Sequence, residues 1–356
     1  MRPANFLPAL LLAPLTSAWG TLGHRTVALL STRYLLPQTA KWVRDLLGSE
    51  SIAAASTWAD GYAHSKDGKF SAPWHYIDSK DNPPHTCGVN YSRDCKKDRG
   101  CIVAALVNMT GRVADERLSR NERGMALKFI IHFVGDIHQP LHTEDLLRGG
   151  NGIHVTFDGR KDNLHSVWDT AIPEKYVGGD TMQDATTWSN NLHTEIETGK
   201  FKDPSIKQAW SACLDPTTPQ KCALVWATES NRWMCDYVLP QDYPEGFEGS
   251  ELGGDYYDGA APIVDELIAQ AGWRLAGYLN AILAGETGLP IGTQSDGFWD
   301  QTGSDHGRER PGREERQGRE ERPGRGDREP RAPPRGPKKL MGQIGGWWGN
   351  LRAAEL

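Results

Sequence analysis

Histidine and aspartate recur in this chain at spacings that suit metal ions. His132 and Asp136 lie four residues apart in the apolar stretch 129–142, and His165 and Asp169 repeat the interval. On a helix, residues four apart share a face, one turn above the other. Pro140 breaks the first helix, so His142 swings away from the His132/Asp136 face. Zinc favours imidazole and carboxylate donors, with about three protein ligands and an open position at a catalytic ion. A lone histidine in an apolar helix is more often a hydrogen-bonded core residue, but two His/Asp pairs point to ligation. With His24, Asp60, His75 and His142 the set holds more donors than one ion can use, so two or three metals are expected, with Asp136 as a shared bridge. His138 lies off the ligand face and is read as structural, as are His85 and His154, whereas His64, His193 and His306 are read as solvated. Trp58, Trp74 and Trp168 beside the ligands are read as packing that dries and stiffens the site.

The elements that must position these residues are helices. Helical patterning runs over Gly23–Ser31, Pro37–Leu47, Ile52–Trp58, Cys101–Leu118 and Ala126–Ile137. Four further helices are expected at Asp180–Glu197, Ser205–Cys213, Cys222–Val238 and Ala261–Leu283. Ile153–Phe157 followed by Asp158-Gly159 predicts a strand and hairpin turn. The fold class is all-α, mainly helical, with at most a small β-hairpin. The segment 65–98 reads as a polar loop pinned by disulfides, interrupted by the aromatic island Trp74-His-Tyr-Ile-Asp78.

The chain has 356 residues and a formal net charge of -6, which excludes a polyanion binder held by bulk charge. Arg2, the apolar run Phe6–Leu15 and the small residues Thr16, Ser17 and Ala18 read as a secretory signal over 1–18. That run is too short to span a bilayer. Cleavage after Ala18 makes Trp19 the mature N-terminus, whose amine is a further potential metal ligand. Six cysteines, Cys87, Cys95, Cys101, Cys213, Cys222 and Cys235, suggest three disulfides among fifteen possible pairings. Asn90 and Asn108 open glycosylation sequons. The domain is expected over 19–287. From 288 to 356 a degenerate Arg/Glu/Gly/Pro repeat, seen at Arg308, Arg313 and Arg319, reads as a disordered, solvated tail.

The segments Trp19-Gly-x-x-Gly-His24, Trp58-Ala-Asp60, Trp74-His75-Tyr-Ile-Asp78, His132 to His142, Gly149-Gly-Asn151 and Asn163-Leu-His165-Ser-Val-Trp-Asp169 together resemble the secreted three-zinc, single-strand-specific nucleases of fungi and plants, the S-one and P-one type. The resemblance runs from Trp19 to about Gly285. It implies a fold shared with phospholipase C and three Zn2+ ions. Asp60, His75, His132 and Asp136 would hold the first, and His142, His165 and Asp169 the second. The amine and carbonyl of Trp19 with His24 and Asp136 would hold the third. It further implies a monomeric extracellular endonuclease that hydrolyses single-stranded DNA and RNA to 5'-phosphate products, with metal-activated water as nucleophile and 3'-nucleotides as further substrates. In that scheme Asp78 orients the attacking water or the base, Tyr76 stacks on a nucleobase and Asn151 contacts substrate. The resemblance implies pairing of Cys87 with Cys235 and of Cys95 with Cys101, which leaves Cys213 with Cys222.

The chain departs from the family at Ala63, where many relatives carry a basic residue, and at Arg160, where some carry a second stacking aromatic. Two rival readings are a zinc phospholipase C and a secreted zinc-binding protein of weakened turnover. The lipase type has a longer gap after its N-terminal tryptophan and a glutamate where Asp169 stands, and Tyr76 with Asp78 suits a base better than a lipid.

Overall fold

In the computed structural model, residues 19–291 are described. The expected signal segment, and the expected tail beyond residue 291, lie outside the described residues. Helices α1 (Gly20–Ser31), α2 (Pro37–Leu47), α3 (Ile52–Ala55) and α4 (Trp58–Ala63) come first, followed by a 3-10 turn at Lys69–His75. Next are α5 (Tyr91–Asp94), α6 (Ile102–Ala114), α7 (Arg120–Asp136) and a second 3-10 turn at Pro140–Thr143. Strands β1 (His154–Phe157) and β2 (Arg160–Asn163) form an antiparallel hairpin, the one sheet among the described residues, with Phe157 opposite Arg160. Helix α8 (Leu164–Ser166) continues as a π-helical turn over Val167–Ala171. Then come α9 (Ile172–Val177), α10 (Met182–Glu197), α11 (Pro204–Trp210), α12 (Pro219–Trp233) with a π-helical end at Met234–Val238, and α13 (Asp255–Ala284). The mainly helical architecture with one small hairpin is as the sequence implied.

Helix α7 begins six residues before the first expected position, because Ser119 and Glu122 form a reciprocal capping box that satisfies two free backbone N–H groups. From Phe129 to Glu144 every residue is buried. A helix end buried all round carries no amphipathic stripe, which is why the segment 129–136 reads as uniformly apolar apart from His132 and Asp136. Each fully buried Phe, Ile or Val there contributes roughly 1.5–3 kcal/mol by leaving water.

Helix α1 lies against α7, α10 and α13. Its contact with α7 depends on Gly135: a Cβ at that position would fall 2.7 Å from Nδ1 of His24. Helix α13 supports the same region through Arg274, which is fully buried and ion-paired with Glu229 at 2.6 Å. Its guanidinium also donates to the Trp210 carbonyl and faces Nε2 of His138 at 3.1 Å. Because His138 donates its Nδ1 proton to the Val134 carbonyl, it is a structural link between α7 and α13.

Three disulfides close the loops, pairing Cys87 with Cys235, Cys95 with Cys101 and Cys213 with Cys222. The first ties the polar segment that carries the aromatic island to the end of α12. No helix among the described residues is long and apolar enough to cross a membrane.

Candidate metal centre and substrate cleft

The expected ligands converge in three groups: His24 with His132 and Asp136; Asp60 with His75 and His132; and His142 with His165 and Asp169. Within each group the donor atoms lie within 4.8 Å of one another. In the first two groups His132 Nε2 stands 3.2 Å from Asp136 Oδ2, 3.3 Å from Asp60 Oδ1 and 3.0 Å from His75 Nδ1. His75 Nδ1 stands 3.1 Å from the same Asp136 Oδ2. The other carboxylate oxygen, Oδ1, lies 3.1 Å from His24 Nε2 but out of hydrogen-bond geometry. Asp136 thus turns one oxygen to each of two donor groups, the disposition of a bridging carboxylate. The His24 and His132 rings stack beside it at 4.0 Å.

The third group is built across the Pro140 turn. His142 donates its Nδ1 proton to the His75 carbonyl at 2.8 Å, and His165 donates its own to the Gly149 carbonyl at 2.6 Å. A carbonyl can only accept, so each ring, when neutral, presents a bare lone pair at Nε2. These two lone pairs face each other at 3.1 Å, and Asp169 Oδ2 adds a third acceptor 3.1 Å from His165 Nε2. His132 is arranged alike, with Nδ1 bonded to the Ser56 carbonyl at 2.6 Å and Nε2 left to the carboxylates. Three converging acceptors repel unless a cation lies between them. Tetrahedral zinc with bonds of 2.0–2.2 Å would space its ligand atoms by about 3.4 Å, close to the separations found. Holding each ring by a backbone carbonyl on its far nitrogen is the usual way to orient a metal-binding histidine. The residues therefore fit a divalent metal of the zinc type.

Asp136, Asp60, His24 and His142 are shifted toward their metal-binding forms, whereas His132 and His165 are shifted toward the protonated ring by their carboxylate neighbours. Burial would raise the Asp136 carboxyl, but the facing imidazole of His132, with His24 and His75, holds it well below the usual carboxylate range. Asp60 is lowered likewise, with His132 outweighing burial. Burial lowers His24 and His142, and the neighbouring imidazoles of His132 and His165 lower them further. On His132 burial is overcome by Asp136 and Asp60, and its pKa rises well above the ordinary value.

Trp19 is fully buried at the start of α1, just over one turn before His24. Its neighbour Gly20 packs on the backbone of Asp169, since a Cβ there would meet the Asp169 carbonyl oxygen at 2.9 Å.

A cleft of about 390 Å³ opens over the ligands and is lined by Asp60, His75, His142 and His165 together with Tyr76, Asp78 and Asn151. The cleft floor is cross-linked: the Ile77 N–H donates to the His142 carbonyl at 2.9 Å, reciprocating the bond from His142 to His75. Tyr76 keeps 37% of its surface exposed at the rim. Asp78 is ion-paired with Lys96 at 2.9 Å, on the loop closed by Cys95–Cys101. Asn151 donates its side-chain amide to the Arg148 carbonyl. Ala63 also lines the cleft, whereas Arg160 is exposed in the hairpin, outside the residues that line it. Asn90 and Asn108 are both exposed, on the rim of α5 and on α6.

A model of the S1/P1 Nuclease family matches residues 19–284. The chain belongs to that family. It is 42% identical to Nuclease S1 of Aspergillus oryzae over 276 residues, which span 77% of this chain and 94% of that one. To Nuclease P1 of Penicillium citrinum it is 41% identical over 271 residues, 75% of this chain and 99% of the relative. Endonuclease 4 of Arabidopsis thaliana is 32% identical over 280 residues, 75% and 89% of the two chains. A solved alpha-toxin of Clostridium perfringens is similar with a TM-score of 0.36 and 12% identity, covering 77% of this chain and 66% of that one.

Several residues that shape this family member's site were not singled out by sequence. The carbonyls of Ser56 and Gly149 fix two histidine tautomers, and position 149 requires glycine, because its φ is 59° and a Cβ would lie 2.5 Å from the Leu141 carbonyl oxygen. Gln139 donates to Asp169 Oδ1; its one signal was its place between His138 and Pro140. Glu144 lines the cleft while accepting from the Asp145 and Leu146 N–H groups. Burial and the facing Asp81 push its carboxyl up to about 8.

Proposed function

We propose that this S1/P1 nuclease family member is a secreted, zinc-dependent endonuclease that hydrolyses single-stranded DNA and RNA to 5'-phosphate products, with 3'-nucleotides as further substrates. The observation that carries the reading is the convergence of bare imidazole nitrogens and carboxylates in three groups beneath one cleft whose rim presents Tyr76 and Asp78. Family membership supports nucleic acid as the substrate, as do relatives named Nuclease S1 and Nuclease P1.

Three ions are proposed. Asp60, His75, His132 and Asp136 would hold one, His142, His165 and Asp169 a second, and His24 and Asp136 with the amine and carbonyl of a mature Trp19 a third. Bound zinc would supply Lewis acidity toward phosphoryl oxygens and acidify water at neutral pH. The chain's own residues do the rest. Asp136 couples two donor groups through its two oxygens. The exposed Tyr76 ring offers a face to an unpaired base, an interaction that tolerates any sequence and excludes a paired one. Asp78, steadied by Lys96, is placed beside that ring to accept a hydrogen bond from the base or from attacking water. The nine ligands are held by buried helices and backbone carbonyls, which keeps them in register with the bound strand.

A monomer is proposed, acting outside the cell; the three disulfides support an oxidising compartment. Exposed Asn90 and Asn108 are the proposed glycosylation positions. The deciding experiment incubates purified protein with single-stranded DNA, duplex DNA and a phospholipid under mildly acidic, zinc-replete conditions, with and without chelator. Chelator-sensitive cleavage of the single strand alone is expected. Intact single-stranded DNA would overturn the reading, and hydrolysis of the phospholipid would favour the lipase alternative.

A further inference from the structure

Within the cleft the aspartates Asp60, Asp78 and Asp145 outnumber the permanently cationic groups, and Arg148 is the one lysine or arginine among the described residues that line it. Two lysines reach the same rim but are engaged, Lys96 with Asp78 at 2.9 Å and Lys80 with Asp145 at 3.8 Å. The Arg148 guanidinium has no hydrogen bond or ion pair among the described residues, and the residue is exposed.

The backbone presents this side chain deliberately. Leu147 and Arg148 have φ of 46° and 63°, and Gly149 and Gly150 follow at 59° and 77°. Four successive left-handed residues are unusual, and the first two are not glycine, so their conformation must be imposed by surrounding bonds. It is: Arg148 N–H donates to the Asp145 carbonyl, Gly150 N–H to Leu146 and Gly152 N–H to Leu147, each at 2.9 Å. The Arg148 carbonyl accepts from the Asn151 side chain at 2.9 Å, and the next carbonyl, Gly149, holds His165. The Cα that carries this free guanidinium is thereby fixed one residue from the backbone atom that orients a metal-site histidine.

We propose that Arg148 is a substrate-contacting residue whose guanidinium binds a phosphate of the single strand lying in the cleft. The inference rests on the nuclease reading and adds a phosphate anchor that residue 63, an alanine, does not provide. A guanidinium matches phosphate oxygens with two parallel N–H donors, and as the one permanently charged cation in the cleft lining it supplies the charge complement to the strand before metal coordination.

The test measures binding of a phosphorothioate single-stranded oligonucleotide by fluorescence anisotropy across a salt series, with cleavage of the unmodified strand assayed in parallel. Arg148→Ala and Arg148→Gly are expected to weaken binding about tenfold and to flatten the slope of log K against log salt by about 0.7, the loss of one phosphate contact. Arg148→Lys is expected to keep the slope and recover part of the affinity. Arg148→Gly also relieves the left-handed backbone, so its melting temperature should equal or exceed that of the parent; weakened binding in this variant is then not a folding defect. Unchanged affinity and slope in Arg148→Gly would overturn the proposal. Wild-type protein that binds the strand with this Arg148 dependence yet cleaves nothing would overturn the nuclease reading and leave the anchor standing. Failure of wild type to bind would overturn both.

Discussion

Nε2 of His142 and Nε2 of His165 face each other at 3.1 Å, and each ring already donates its Nδ1–H to a backbone carbonyl. Two lone pairs held this close by neighbouring backbone need a proton or a metal ion between them, and a metal ion also serves Asp169 Oδ2 beside them. Replacing His142 with alanine should remove one equivalent of bound zinc, read by metal analysis. Full removal of metal by chelator should lower the melting temperature further. Saturation at a thousandfold excess over Kd is worth about 4 kcal/mol per site, and about 1 kcal/mol moves a domain of this size by roughly 2–4 °C. Unchanged zinc content in the variant would refute this ligand assignment.

Gly135→Ala tests the bridging carboxylate from the opposite side. Its Cβ would press 2.7 Å from His24 Nδ1, on a helix with no room to yield. His24 should be displaced from Asp136, lowering metal content and cutting turnover about 100-fold, the scale of a misplacement of about an ångström. Normal zinc stoichiometry and turnover in this variant would show that the α1–α7 contact does not set the site.

Trp19 carries a prediction about processing. A protein that begins with Met directly before Trp19 has its tryptophan amine blocked by a peptide bond, and should bind one zinc fewer and lose most activity. Mass spectrometry of the mature N-terminus with metal analysis of both forms checks this. Full zinc occupancy in the extended form would exclude the amine as a ligand.

Tyr76→Ala should raise KM for single-stranded DNA by the value of one base stack, about 1–3 kcal/mol. Tyr76→Phe keeps the ring and should leave KM within a few fold. Equal KM for the alanine and phenylalanine variants would remove Tyr76 as a stacking platform.

Away from the metals, Glu266 on α13 has its carboxyl raised to about 6, by burial and then by Asp265, with Lys200 opposing. A raised carboxyl means that the folded state holds its proton more tightly than the unfolded chain. The associated stability is complete below pH 4.5 and is lost as the pH rises through 6, about 2 kcal/mol in all. Glu266→Gln should therefore be more stable than the parent at pH 7 by up to that amount and no more stable at pH 4, as measured by denaturant unfolding. Equal pH dependence of the two proteins would contradict the shift.

The helical class was legible because local signals and burial agree along most of the chain. Helix α2 begins at Pro37 and ends at Leu47, where proline at the first turn and the apolar period place it. Helix boundaries shifted where long-range or capping bonds decide them. The capping box starts α7 at Arg120, and the expected single run from Ile52 to Trp58 divides into α3 and α4. The 3-10 turn over Lys69–His75 was not anticipated, because its proline and aromatics read as loop.

The sequence by itself determined the kinds of donors, since two His/Asp pairs at intervals of four residues share a helical face whatever surrounds them. It also determined the separation of His142 from that face, because Pro140 cannot continue the helix. Only the tertiary structure decided that Asp136 offers one oxygen to His24 and the other to His75 and His132, because those three residues come from α1, the Lys69–His75 turn and α7. It alone set the tautomers of His132, His142 and His165, whose carbonyl partners lie 76, 67 and 16 residues away in sequence. Intervals along a helix are local geometry and survive in a string of letters. The direction of a lone pair depends on which distant carbonyl accepts the hydrogen bond from the opposite nitrogen, and that is known only when the chain has packed.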